Sequence, residues 1–174
     1  MKNFYRVLAN TLIANVTTSY LWFALTFWVL LETESVMAAG LIGGGYMLLV
    51  SIFSMIFGTV VDRHRKKSVM MFASTFTLVC FALAGAVYLI FGSDQVINWH
   101  EFPFWLFTSI ILIGGVIENM RNIALSTTVT LLTKKEDSAR ANGLVGATQG
   151  VAFMVTSVFS GLSIGMLGMG WTLV

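Results

Sequence analysis

Residues 58–67 read Gly58-Thr59-Val60-Val61-Asp62-Arg63-His64-Arg65-Lys66-Lys67. Four of the ten Lys and Arg residues fall in this stretch, headed by Asp62, and a long apolar run lies on each side. A charged turn between two runs, each long enough to cross a hydrocarbon core of about 30 Å, is the mark of a loop between membrane spans. The other spans and loops follow by working outward from it.

The chain of 174 residues is 57% hydrophobic and 10% charged, with a single proline. Soluble domains carry about 25% charged residues, and a soluble helical bundle needs a polar face on every helix. Most of the apolar runs here lack one, so the class is an all-α membrane protein. Five complete spans are expected, at about 10–31, 36–61, 68–91, 104–132 and 143–166, with a sixth beginning near Trp171. The first run follows Lys2 and Arg6 as a signal peptide would, but it is longer than a cleavable apolar region and contains Asn10, Asn15, Thr17 and Thr18; it reads as a retained helix. Pro103 suits a helix start, where its missing N–H would be unpaired anyway.

The charges sort by side. Lys2 and Arg6 precede the first span, Arg63, Arg65, Lys66 and Lys67 join the second and third, and Lys134, Lys135 and Arg140 join the fourth and fifth. These nine of the ten basic residues share one side of the zigzag, whereas the other side carries Glu32, Glu34, Asp94 and Glu101. The positive-inside rule then puts the N-terminus in the cytoplasm and the chain in the cell membrane, with the bilayer as its first partner. Trp28, Tyr88, Trp99, Trp105 and Trp171 lie near the outer ends and are expected to form an interfacial belt.

Several chemistries find no support. Cys80 is alone in an apolar run, and His64 and His100 are isolated, so neither a disulfide framework nor a metal site is expected. No cofactor motif, nucleophile–base pair or phosphate loop is visible, which argues against an enzyme. The basic stretch is too short and too confined between spans to suggest nucleic acid.

Function points instead to Glu118 and Arg121, three residues apart and so on one helix face, near the middle of the fourth span. A charge at that depth costs about 2.5–3.5 kcal/mol on insertion scales, so such residues pair and commonly line an ion or substrate path. Two readings stay open. In the first, the pair lines a cavity, with Glu118 as proton carrier or cation contact and Arg121 as its counter-charge; in the second it is an ion pair knitting helices together. Asn122 lies beside them. Thr11, Asn15, Thr18 and Trp22 form a stripe on the first span, and Gln149, Phe153, Thr156 and Ser160 another on the fifth. Each stripe alone would serve equally as interhelical hydrogen bonding; together with Glu118 and Arg121 they suggest one polar cavity. Gly40, Gly43, Gly44, Gly143, Gly146, Gly150, Gly161 and Gly165 are expected to permit close helix packing.

Gly58, Asp62, Arg63, Lys66 and Lys67 resemble the loop 2–3 signature of the major facilitator superfamily, G-x-x-x-D-R-x-G-R-[RK], with Lys66 in place of Arg and Arg65 where the second glycine is usual. The efflux-type branch that includes macrolide-efflux and enterobactin-exporter-like proteins shares that departure. The run Leu131 to Leu144, with its acidic-basic turn and Arg140-Ala141-Asn142, looks like loop 4–5 of the same branch. Arg121 corresponds to the fourth-helix arginine, although Ala124 and Leu125 replace the expected Gln and Gly, and the fifth span lacks the Gly-Pro of drug antiporters.

The resemblance implies a transporter of two six-helix halves, of which this chain is an incomplete N-terminal one. It would work by alternating access, as a multidrug-type antiporter exporting a small molecule against protons. Asp62 and Arg63 would then belong to a latch that closes the cytoplasmic side, its counterpart lying in a C-terminal half; the chain alone is not expected to transport. The competing reading is a small multi-pass scaffold or assembly partner, complete at this length and without transport activity.

Overall fold

The computed structural model describes the backbone of residues 2–132 and 137–173; the side chains of residues 1–7, 11, 14, 18, 21, 93, 94, 130, 132, 138 and 169–173 lie outside the description. Among the residues singled out above this leaves out Thr11, Thr18, Asp94 and Trp171, together with Lys2, Arg6, Lys134 and Lys135 from the connectors. Five helices account for nearly all of the described backbone: α1 (Lys2–Thr33), α2 (Val36–Arg63), α3 (Lys66–Ile97), α4 (Phe102–Leu132) and α5 (Ser138–Leu173). No strand occurs among the described residues. Each helix contains a segment of 26 to 30 residues long and apolar enough to cross a membrane. The chain folds as a multi-pass helical membrane protein.

Helix ends follow local chemistry. α1 stops where Thr33 turns its hydroxyl back to Val29 O (2.5 Å) and Glu34 takes a left-handed φ of 49°. Ser35 then caps α2, its Oγ accepting from Ala38 N at 3.2 Å. This satisfies one of the free N–H groups of the first turn. In α3 the helix breaks at Gly92, whose φ of 75° is strained for any residue with a Cβ. The break ends the membrane-spanning part of α3 and folds a further turn back, so that Val96 is fully buried against the bundle.

The helices alternate in direction, as their packing shows. One apolar cluster joins Ala24, Leu25 and Trp28 near the end of α1, Ala38 and Ile42 near the start of α2, Ala84 and Val96 late in α3, and Phe104, Phe107 and Ile111 early in α4. Two clusters fill the opposite end, one of Val61, Val69, Ala73, Met120 and Ala124, the other of Leu125, Val129 and Ala141 with Leu8 beside them. The loop Asp62–Lys67 and Arg140 belong to this second end. α3 lies longest against α4 and α1 against α5, while α2 rests on α4. α4 touches all four other helices, and a polar side chain on its inner face is therefore shielded from lipid.

Two expectations are corrected. Trp28 is not in an interfacial belt: it is 1% exposed and packs against Phe104 and Phe107, because the first apolar cluster reaches down to it. Trp105 is exposed and donates Nε1–H to Trp99 O at 2.9 Å. The glycines of α2 and α5 are mostly not packing sites within this chain either. A Cβ would meet nothing within 4 Å at Gly40, Gly43, Gly44, Gly143, Gly146, Gly150 or Gly165, and at Gly161 it would make ordinary contact with Phe27. The close approach is on α4 instead. A Cβ at Gly114 would lie 3.0 Å from Cys80 Cβ, and one at Gly115 would lie 3.3 Å from the Tyr46 ring.

Candidate functional site

Between the apolar clusters at the two ends lies a polar layer at the middle of the bundle. Glu118 sits halfway along α4, with Arg121 one turn further on and both 3% exposed. Their spacing of three puts them on one face, and the central position of α4 turns that face inward. Arg121 Nε donates to Glu118 Oε1 in a buried ion pair. Arg121 Nη2 reaches across to α1 and donates to Asn15 Oδ1 at 2.8 Å, where Asn15 is 7% exposed.

A third helix completes the carboxylate's surroundings. Gly114 and Gly115 precede Glu118 by one turn, and the absence of side chains there lets α3 and α2 come close. Thr77 of α3 thereby donates its hydroxyl to Gly114 O at 2.9 Å and lies 3.4 Å from Glu118 Oε2. A single hydroxyl proton cannot serve both acceptors fully, so Thr77 can respond to the charge on Glu118. On the α2 side the Tyr46 ring packs against Gly115 and stacks on Trp22 of α1, centroids 4.1 Å apart. Burying one charge unpaired is costly; here each charged group has a partner of opposite sign and a further polar contact.

The layer is not fully satisfied. Asn15 Nδ2 and Asn122 Oδ1 are buried and have no hydrogen-bond partner among the described residues. Buried polar groups are paired in the great majority of cases, so each exception calls for an explanation.

The structure thus brings Asn15, Glu118 and Arg121 together; Trp22 stacks on Tyr46, and Asn122 follows Arg121 on α4 with its Oδ1 buried and unpaired among the described residues. Gln149 is exposed and its side chain has no hydrogen bond to a described residue. Thr156 and Ser160 of the same stripe are buried on α5, and their hydroxyls turn to their own helix, at Ala152 O (2.6 Å) and Ser157 O (3.3 Å). Thr77, Tyr46 and the Gly114-Gly115 pair were not among the expected residues. The signal for the glycines was their position three and four residues before Glu118. Thr77 had none, since beside Ser74 and Thr75 in an otherwise apolar stretch nothing sets it apart.

At the charged end, Asp62, Arg63, Arg65 and Lys67 are exposed. Lys66 is half-buried and donates Nζ–H to Val61 O at 2.6 Å, closing the C-terminus of α2 where a cation also suits the helix dipole. His64 adds its backbone N–H and Nδ1 to Val60 O, at 3.2 and 2.9 Å. Asp62 forms no ion pair among the described residues, and Gly58 faces open space.

Comparison with known proteins now decides the family. Residues 7–174 match the Major Facilitator Superfamily. The chain belongs to the major facilitator superfamily. Among curated relatives, this superfamily member is 24% identical over 159 residues to macrolide efflux protein A of Streptococcus pyogenes, and equally to the same protein of S. pyogenes serotype M6 (strain ATCC BAA-946 / MGAS10394). The match covers 91% of the chain and spans 37% of the relatives' length. No solved structure matches it significantly.

Proposed function

We propose that the chain supplies the first helices of a two-half secondary transporter that exports a small molecule against protons by alternating access. The observation that carries this reading is the buried Asn15–Arg121–Glu118–Thr77 layer, which joins three helices at the depth where transporters of this architecture bind substrate and coupling ions. A purely structural pair would gain little from an orphaned amide on Asn15.

Glu118 is the proton-carrying group in this mechanism. Ionised, it holds Arg121 and accepts from Thr77. Protonated, it offers Arg121 no charge, and the guanidinium is held by Asn15 alone. The tie between α4 and its neighbours then weakens, which biases the equilibrium between inward- and outward-facing states. Asp62 and Arg63 act at the loop end as one half of a latch, free in this conformation and meeting a C-terminal half when that side closes. The N-terminus and the basic loops face the cytoplasm of a cell-membrane protein, as their charge directs.

The macrolide named in the relatives is the first substrate class to test. In cells expressing the full-length protein, macrolide accumulation should fall, and unchanged accumulation would remove that substrate class. Reconstituted Glu118→Gln should transport without pH dependence; if the dependence survives, Glu118 is not the coupling carboxyl. Asp62→Asn should slow transport with substrate binding nearly intact, and equal loss of both would assign Asp62 to binding or folding. Arg65→Cys should react with an impermeant thiol reagent from the cytoplasmic side only.

A further inference from the structure

At the charged end of the bundle a groove of about 390 Å³ opens between α2, α3 and α4. Its walls are apolar, among them Ile56 and Phe57 of α2, Phe72 of α3, and Ile117 and Met120 of α4, and His64 stands at its mouth. Ile56 is 53% and Phe72 57% exposed, so the groove is open along its length. It lies within segments that cross the membrane. From His64 to Ile56 is eight residues, which carries the groove about 12 Å inward along α2.

The mouth is strongly positive. Arg63, Arg65, Lys66 and Lys67 oppose Asp62 alone, a formal balance of 4 − 1 = +3 within six residues. Lys66 is engaged with the α2 carbonyls, whereas Arg65 and Lys67 are exposed and their side chains make no hydrogen bond or ion pair with a described residue. An apolar slot that begins beneath unpaired cations at the membrane surface matches an amphiphile with a negative head and a hydrocarbon tail.

We propose that this groove is a binding site for an anionic phospholipid, with an acyl chain along Ile56, Phe57 and Phe72 and the phosphate at Arg65 and Lys67. A second copy of the chain is a poor occupant, because it would bring another set of like charges to the same mouth. A zwitterionic lipid would fit the slot but leave the excess charge uncompensated. The site is separate from the Glu118–Arg121 layer and does not depend on the transport reading.

The test is native mass spectrometry of the chain released from phosphatidylcholine vesicles containing phosphatidylglycerol. At equal mole fraction, bound phosphatidylglycerol should exceed phosphatidylcholine on the order of tenfold, given two unpaired cations near an anionic surface. The pair Arg65→Ala with Lys67→Ala should abolish that preference. Arg140→Ala, at the same end but outside the groove, should leave it unchanged. Ile56→Trp, which fills the slot at an exposed position, should reduce retention of both lipids and serves as an independent probe where the double variant does not fold. Equal retention of the two lipids would overturn the proposal. So would an equal effect of Arg140→Ala, displacement of the lipid by inorganic phosphate alone, or a lipid-free dimer of the 19.1 kDa chain.

Discussion

Two regions of this molecule combine carboxylate and guanidinium, and they do so under opposite conditions. In the middle of the bundle Glu118 and Arg121 are buried, paired with each other, and tied to α1 and α3 through Asn15 and Thr77. At the loop end Asp62 and Arg63 are adjacent and exposed, and Asp62 has no ion pair among the described residues. The first arrangement stands where water is scarce, so each partner is a condition of the other's burial. The second stands at the membrane surface, where water and salt screen both charges and pairing is worth little. The same chemistry is therefore locked in place by burial in one region, and open to a change of partners in the other.

The contrast is broken most forcefully by removing one member of the buried pair. Arg121→Leu leaves Glu118 buried without a counter-charge and should cost about 3–5 kcal/mol, read as a shift in the unfolding midpoint in mixed micelles. A cost similar to that of a surface substitution would mean that the layer is hydrated. Next is the close approach that lets the layer form. Gly114→Ala should destabilise by about 1–3 kcal/mol through overpacking against Cys80 Cβ. Since the contact is with Cβ, Cys80→Gly should relieve it in the double variant while Cys80→Ala should not.

Smaller effects sharpen the boundary of the layer. Asn15→Leu removes an interhelical hydrogen bond and should cost up to about 1.7 kcal/mol; a double-mutant cycle with Arg121 would show coupling if the bond at 2.8 Å persists in the bilayer. Thr77→Val keeps the shape and loses the hydroxyl, with an expected cost of about 0.6 kcal/mol. At the loop, Asp62→Asn should change stability by less than about 0.5 kcal/mol. A stability loss there as large as that of Arg121→Leu would erase the distinction between the two regions.

How far the sequence reached depended on the kind of signal. The spans were legible because hydrocarbon demands long apolar runs, and the charged connectors were legible because charge is excluded from them. Glu118 and Arg121 stood out for the same reason. The facing of each helix was much harder to read. In a bilayer both the packed core and the lipid-exposed surface are apolar, so hydropathy cannot say which side of α2 or α5 is buried. That is why the glycines of those helices suggested packing and proved open, and why Trp28, expected near the interface, lies in the core. It also explains the division of the α5 stripe, with Thr156 and Ser160 buried and Gln149 exposed.

By itself, then, the sequence determined that the chain is a multi-pass helical membrane protein, where its charged loops fall, and that a charged pair lies in mid-membrane. Those features follow from the cost of placing charge and unpaired backbone in hydrocarbon, a cost that acts on each segment separately. Only the tertiary structure decided that Arg121 reaches Asn15, that Thr77 attends Glu118, and that Gly114 and Gly115 admit the neighbouring helices. Such contacts depend on which faces meet, and in an apolar solvent that choice rests on shape and on a few polar atoms rather than on hydrophobicity.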